Sequence, residues 1–115
     1  MIVGVPKEVV SGERRVALVP ELISKLAQAG AEVAVEAGAG AAAGFLDALY
    51  AEKGARLESD VFDKADVLLK VQPPTENEIS EMREGSTLIG LLQPYTNTAQ
   101  IQTLATRRIT AFSME

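Results

Sequence analysis

The chain has 115 residues, 47% of them apolar, and a net charge of -5. That suffices for one domain with a real core and leaves little room for two, while the acidic balance argues against a nucleic-acid or anionic-membrane surface. Cysteine and histidine are both absent, which removes disulfides, thiolate chemistry and the commonest general base and metal ligand at neutral pH.

Any chemistry must therefore use carboxylates, lysine, tyrosine or arginine. No apolar run approaches the roughly 18 residues of a membrane span, so direct membrane insertion is not expected. The start "MIVGVPKE" lacks the charged-then-apolar layout of a signal peptide.

"MIVGVP" reads as a short buried strand over residues 2–6. A helix is predicted from Pro20, a residue suited to a first helical position because its missing N–H has no partner there. Glu21 complements the positive helix end, and Leu22, Ile23, Leu26 and Ala27 form its apolar face. Gly30 ends it by accepting left-handed backbone. Residues 32–37, "EVAVEA", have strand periodicity: Val33, Val35 and Ala37 share one face, Glu32, Ala34 and Glu36 the other. Strand, helix and strand in succession make a βαβ unit with a right-handed crossover.

The pattern repeats. Residues 47–53 read as a short helix closed by Gly54, and 55–58 as a weak strand. "DVLLKVQ", residues 66–72, is a strong strand ended by Pro73 and Pro74; residues 76–83 form a helix and "STLIGLL", 86–92, another strand. A helix over 97–107 and a strand over 109–114 close the chain. Strands with continuous apolar runs alternating with helices predict an α/β fold, a mostly parallel sheet with helices on both faces. Because the chain stops at Glu115, at the end of a predicted strand, it reads as part of something longer.

Ligands of such sheets gather beyond the carboxyl ends of the strands. That edge receives Lys7, Glu8, Arg14 and Arg15 from the first strand and "GAGAAAG" from the second. Later strands bring Lys70 and Gln72, then Gln93, Tyr95 and Asn97, and finally Ser113 and Glu115. Arg15 reads either as a solvated side chain or as an anion-reading group, since arginine holds a carboxylate or phosphate bidentately. Lys70 is either half of a polar pair with Gln72 toward a cleft or a lysine whose stem packs while its ammonium reaches solvent. Gln93 precedes Pro94, which favours extended backbone. Tyr95 reads as a loop aromatic. The glycines 38, 40 and 44 are spaced G-x-G-x-x-x-G, which departs from the dinucleotide fingerprint, and a tight loop with closely packed backbone explains them better. Glu76, Glu78, Glu81 and Glu84 read as a solvated helix face.

Together "VGVPKE", "GERRVALVPE", "VEAGAGAAAGFLDALY", "ADVLLKVQPP" and "LIGLLQP" resemble, in order and spacing, the N-terminal lobe of the alanine dehydrogenase and NAD(P) transhydrogenase alpha-subunit family. The resemblance covers residues 1–115. It implies a flavodoxin-like lobe, itself not the Rossmann lobe and incomplete here. The lobe would pack against a later Rossmann lobe that binds NAD, with the reaction in the cleft between them. In the alanine dehydrogenase branch the resemblance implies an arginine in the "RVA" turn, a lysine in "KVKEP" and a histidine after the "LIGLL" strand. This chain keeps the arginine as Arg15 but has Gln72 and Gln93 at the other two positions. The transhydrogenase branch is thereby favoured, since direct hydride transfer between nicotinamides needs no protein group to take a substrate proton.

That branch implies several things. This chain would be part of an NAD(H)-binding component that passes hydride from NADH to NADP, coupled to proton translocation. Membrane and NADP-binding components would be its partners, the complete protein a homodimer, and its place the cytoplasmic side, peripheral to the inner membrane. Arg15, Gln72 and Gln93 would line the NAD cleft, with no catalytic residue and weak or no NAD binding by this chain alone. The alternatives are the N-terminal lobe of an NAD-dependent alanine dehydrogenase and a stand-alone α/β interaction module.

Overall fold

The apolar run at the start of the chain becomes an interior strand of the sheet. In the computed structural model, which describes residues 1–115, β1 (Ile2–Val5) pairs in parallel with β2 (Glu32–Glu36) on one side and β4 (Val67–Leu69) on the other. With β3 (Arg56–Glu58), β5 (Thr87–Gly90) and β6 (Thr110–Ser113) the sheet is six-stranded, in the order β3-β2-β1-β4-β5-β6, and every pairing is parallel. With all six strands this is the doubly wound order 3-2-1-4-5-6; without the three-residue edge strand β3 it reduces to the flavodoxin-like 2-1-3-4-5, and in both the direction reverses between β1 and β4.

The helices fall on both faces, as the strand pattern requires. The turn of 3-10 helix Pro20–Leu22, α1 (Ile23–Gln28) and α2 (Asp47–Glu52) lie on one side. There Ile23 and Tyr50 pack with Val5, Leu18, Val33 and Val35. On the other side lie α3 (Val61–Lys64), α4 (Glu76–Glu81) and α5 (Thr98–Thr106), whose Val61, Ile79 and Leu104 pack with Ala34, Leu68 and Leu88. The β2 alternation is therefore realised, with Val33 and Val35 to one core and Ala34 to the other. Helices this short are not stable alone. Burial holds them: full burial of an Ile side chain such as that of Ile23 contributes about 1.5–3 kcal/mol.

Several details depart from the periodicity. Leu22 is exposed, because it belongs to the 3-10 turn and the α-helical phase begins one residue later. The single-turn helix α3 and a 3-10 turn at Ala41–Ala43 are too short for a periodic signal. Strands β4 and β5 stop at Leu69 and Gly90, short of the predicted 72 and 92. The cause lies in what the next N–H groups meet: those of Val71 and Gln72 turn to the Glu8 carboxylate, and those of Leu92 and Gln93 to that of Glu115. No helix is long and apolar enough to cross a membrane.

Candidate functional site

Arg15 sits in the long loop after β1, and a turn aims it. Gly12 takes φ +86°, and the Glu13 N–H closes the turn on the Val10 carbonyl at 3.0 Å. A left-handed φ of that kind suits glycine. Glu13 is thereby turned inward, its side chain 5% exposed against 64% for Arg15. Its carboxylate accepts from Arg15 Nε at 3.0 Å, Arg15 Nη2 at 2.7 Å and the Arg15 backbone N–H at 2.8 Å. Oε1 also accepts from Gln72 Nε2 at 2.7 Å. These bonds, the Arg15 side chain first and Gln72 next, hold the Glu13 carboxyl far below the usual carboxylate range. The same contact raises the Arg15 guanidinium. Two of the residues predicted to line the cleft therefore meet, and they meet through Glu13, which sequence reasoning passed over. The signal was present as the Glu-x-Arg spacing within "GERR".

Beneath this rim, at the reversal between β1 and β4, lies a buried ion cluster. The Lys70 side chain is 0% exposed, that of Glu8 3% and that of Glu78 9%. The Lys70 ammonium stands 3.2 Å from Glu8 Oε1 and 3.2 Å from Glu78 Oε2. Both readings of Lys70 are thus corrected: it neither reaches solvent nor pairs with Gln72 at a cleft. Burying an ammonium demands charged partners, and β4 delivers it between two. Glu78 is likewise corrected from a solvated face to a buried ligand. At the third helical position of α4 its Oε1 accepts the Thr75 N–H at 2.9 Å while Thr75 Oγ1 accepts the Glu78 N–H at 3.1 Å. This capping box fixes the carboxylate beside Lys70. Nearby Glu36 accepts the Lys7 N–H at 3.1 Å. Burial raises its pKa, and the Glu78 charge adds to the effect.

Gln93 lies after β5 on the same carboxyl edge but apart from this group. Its backbone is left-handed, φ +47°, not extended as the following proline led one to expect. The Glu115 carboxylate captures its N–H, and its carbonyl accepts the N–H groups of Thr96 at 3.1 Å and Asn97 at 3.2 Å, ahead of α5. These bonds offset the strain. Two shallow cavities run along the rim. One of about 370 Å³ is lined by Arg15, Val16, Leu69, Val71, Ile89 and Met114. The other, about 470 Å³, is lined by Gln93, Tyr95 and Glu115 among others. Tyr95 is an exposed loop residue, as read.

The glycine loop offers no phosphate seat. The Gly38 N–H is taken by Asp47 Oδ1 at 2.9 Å, which also sets a carboxylate at the start of α2. A Cβ at Gly40 would stand 2.6 Å from the Tyr50 ring and 2.8 Å from the Phe45 carbonyl oxygen. Tyr50 in turn donates to the Leu18 carbonyl at 2.8 Å and pins the end of the Arg15 loop. The tight-loop reading holds. At the strand reversal Lys70, Glu8 and Glu78 satisfy one another beneath the shallow cavity of about 370 Å³, which Lys70 helps to line. No group of acidic side chains is arranged to hold a metal.

The sequence model of the family described as alanine dehydrogenase/PNT, N-terminal domain, matches residues 4–115. The chain is 32% identical over 116 residues to the NAD(P) transhydrogenase subunit alpha of Haemophilus influenzae, covering 100% of this chain and 23% of that protein. It is 43% identical over 95 residues to the alanine dehydrogenase of Halomonas elongata, covering 80% of this chain and 26% of that enzyme. The crystal structure of transhydrogenase from Sinorhizobium meliloti superposes with a TM-score of 0.97 at 40% identity, over 100% of this chain and 35% of that one. The chain thus spans about a quarter to a third of the length of these relatives.

Proposed function

The chain belongs to the alanine dehydrogenase/PNT N-terminal domain family, and on that premise we propose that it is the N-terminal lobe of the NAD(H)-binding component of a proton-translocating NAD(P) transhydrogenase. In this reading a Rossmann lobe of the same protein holds NAD, and the present lobe is the wall that faces it. Hydride passes from NADH to NADP, which further membrane and NADP-binding components hold. The complete protein is a dimer on the cytoplasmic side, peripheral to the inner membrane.

The observation that carries this reading is the charge-balanced trio of Arg15, Glu13 and Gln72, set apart from Lys7 and Arg14, which are exposed on the same edge. Arg15 is matched one to one by Glu13, and the third member, Gln72, is an uncharged amide. A keto-acid site needs a cation aimed at the carboxylate and a group that moves a proton, and the amides of Gln72 and Gln93 supply neither. Hydride transfer between two nicotinamides needs neither, because the chemistry belongs to the cofactors. Gln72 can offer an amide hydrogen bond to a nicotinamide carboxamide, and neither it nor Gln93, which lines the second cavity, can titrate. Since the glycine loop of this lobe offers no phosphate seat, the isolated chain binds NADH weakly.

The test is an assay of the complete protein with its partner components. Hydride transfer from NADH to an NADP analogue with a distinct absorbance is the expected result. Reductive amination of pyruvate by NADH and ammonia, without that transfer, would establish the alanine dehydrogenase alternative instead. Tight NADH binding by the 115-residue chain in a calorimetric titration would contradict the role of a wall.

A further inference from the structure

We propose that Glu8 is a positioning residue: its buried carboxylate fills an anion seat made by the Lys70 ammonium and the N–H groups of Val71 and Gln72, and thereby aims Gln72 at Glu13. The seat is fully described by its contacts. Glu8 Oε1 accepts from Lys70 Nζ at 3.2 Å and from the Gln72 N–H at 3.0 Å, and Oε2 accepts the Val71 N–H at 2.9 Å. Two successive backbone N–H groups beside an ammonium form the kind of concavity that takes a free anion elsewhere. Here the anion is tethered to the loop after β1, more than 60 residues away in sequence.

The consequence runs outward. With its N–H fixed by Glu8 and Pro73 following it, Gln72 has little freedom in either backbone dihedral. Its carboxamide then reaches Glu13 Oε1 at 2.7 Å, the same oxygen that holds Arg15 Nη2. A buried carboxylate thus sets the geometry of an exposed guanidinium through two intermediaries. Glu78 provides the internal contrast. It shares Lys70 with Glu8, but its remaining bonds go to Thr75 and not to residues 71 and 72. Loss of Glu78 weakens the ion cluster and spares the seat; loss of Glu8 empties it.

The experiment is amide NMR of the full chain, assigned at Val71, Gln72 and the Gln72 carboxamide. In Glu8→Ala the two backbone N–H groups lose their acceptor, and their exchange with solvent speeds up by about tenfold or more. The Gln72 carboxamide resonances move as well. Added formate, small enough to enter the vacated seat, returns all of these toward the wild-type values. Glu78→Gln leaves them in place. If Glu8→Ala does not fold, Glu8→Gln takes its part: it has one acceptor oxygen for two N–H groups, so the Gln72 carboxamide must still shift. The proposal is overturned if the carboxamide is unmoved in the Glu8 variant that folds, if Glu78→Gln moves it equally, or if formate has no effect on folded Glu8→Ala. Only the functional consequence rests on the transhydrogenase reading. In the complete protein Glu8→Ala then raises KM for NADH several-fold with little change in kcat. A shifted carboxamide with an unchanged KM would keep Glu8 as the positioning residue and remove Gln72 from the NAD cleft.

Discussion

Arg15 grips Glu13 from two residues away, with Nε 3.0 Å from Oε2 and Nη2 2.7 Å from Oε1. The pair is bidentate, and it closes on itself within one loop. An arginine that looks free to read an anion is therefore already reading one. This bears on acid stability as much as on function.

The Glu13 carboxyl titrates lower in the folded chain than in the unfolded one, chiefly because Arg15 donates to it. The unfolded chain thus binds the proton more readily, and stability falls with acidification. The contribution is complete above the ordinary glutamate value, about 4.3, and fades as the pH drops through the depressed value. Glu13→Gln removes it. Thermal melts followed from about pH 7 down to pH 2 should show a shallower acid decline for Glu13→Gln than for the wild type.

Glu36 has the opposite sign. Burial raises its pKa, so its ionised form is disfavoured in the fold. Its adverse effect is absent below the unfolded value and grows as the pH rises through the folded one. Glu36→Gln retains an acceptor oxygen for the Lys7 N–H. It should stabilise the chain at pH 7, and the gain should vanish in acid. Melting temperatures at the two pH extremes check this, and an equal gain at both would refute it.

Lys70→Met leaves two buried carboxylates without their cation. Breaking a buried pair this way costs about 3–5 kcal/mol, enough to threaten a domain of this size. Glu76→Gln, on the exposed side of the same helix as Glu78, should stay within about 0.5 kcal/mol of the wild type. Urea unfolding of both separates a buried cluster from a solvated face.

Gly40→Ala forces a methyl to within 2.6 Å of the Tyr50 ring. The ring cannot retreat without breaking its bond to the Leu18 carbonyl. A loss of about 1–3 kcal/mol follows. At Gly44 nothing lies within 4 Å of such a methyl, and only the φ of +90° resists it, so Gly44→Ala should cost nearer 1 kcal/mol. Denaturant midpoints rank the two.

Much of the fold was legible because its signals are periodic and local. Val33 and Val35 against Ala34, Pro20 at a helix start and Gly30 just past a helix end each carry their meaning within a few residues. Helix α3, a single turn, has no room for a period. Arg15 and Gln72, singled out in the sequence, are brought together by the structure at Glu13. The burial of Lys70 was not legible, since Glu8 lies 62 residues away and only the parallel pairing of β1 with β4 brings it near. Glu13 was passed over because an acid next to arginines looks like ordinary surface until its burial is known. Gln93 defied the proline rule because the carboxylate of Glu115, the last residue of the chain, takes its N–H.

One ammonium fastens the loop after β1, the tail of β4 and the first turn of α4 to a common point. None of the three can fluctuate by itself without exposing an uncompensated charge, so this edge opens as a unit or not at all. Outside this clamp, Val9 and Val10 stand in solvent. In the proposed role of a wall, such an edge cannot close over NAD by flexing. Any hinge that brings it nearer must turn the whole slab.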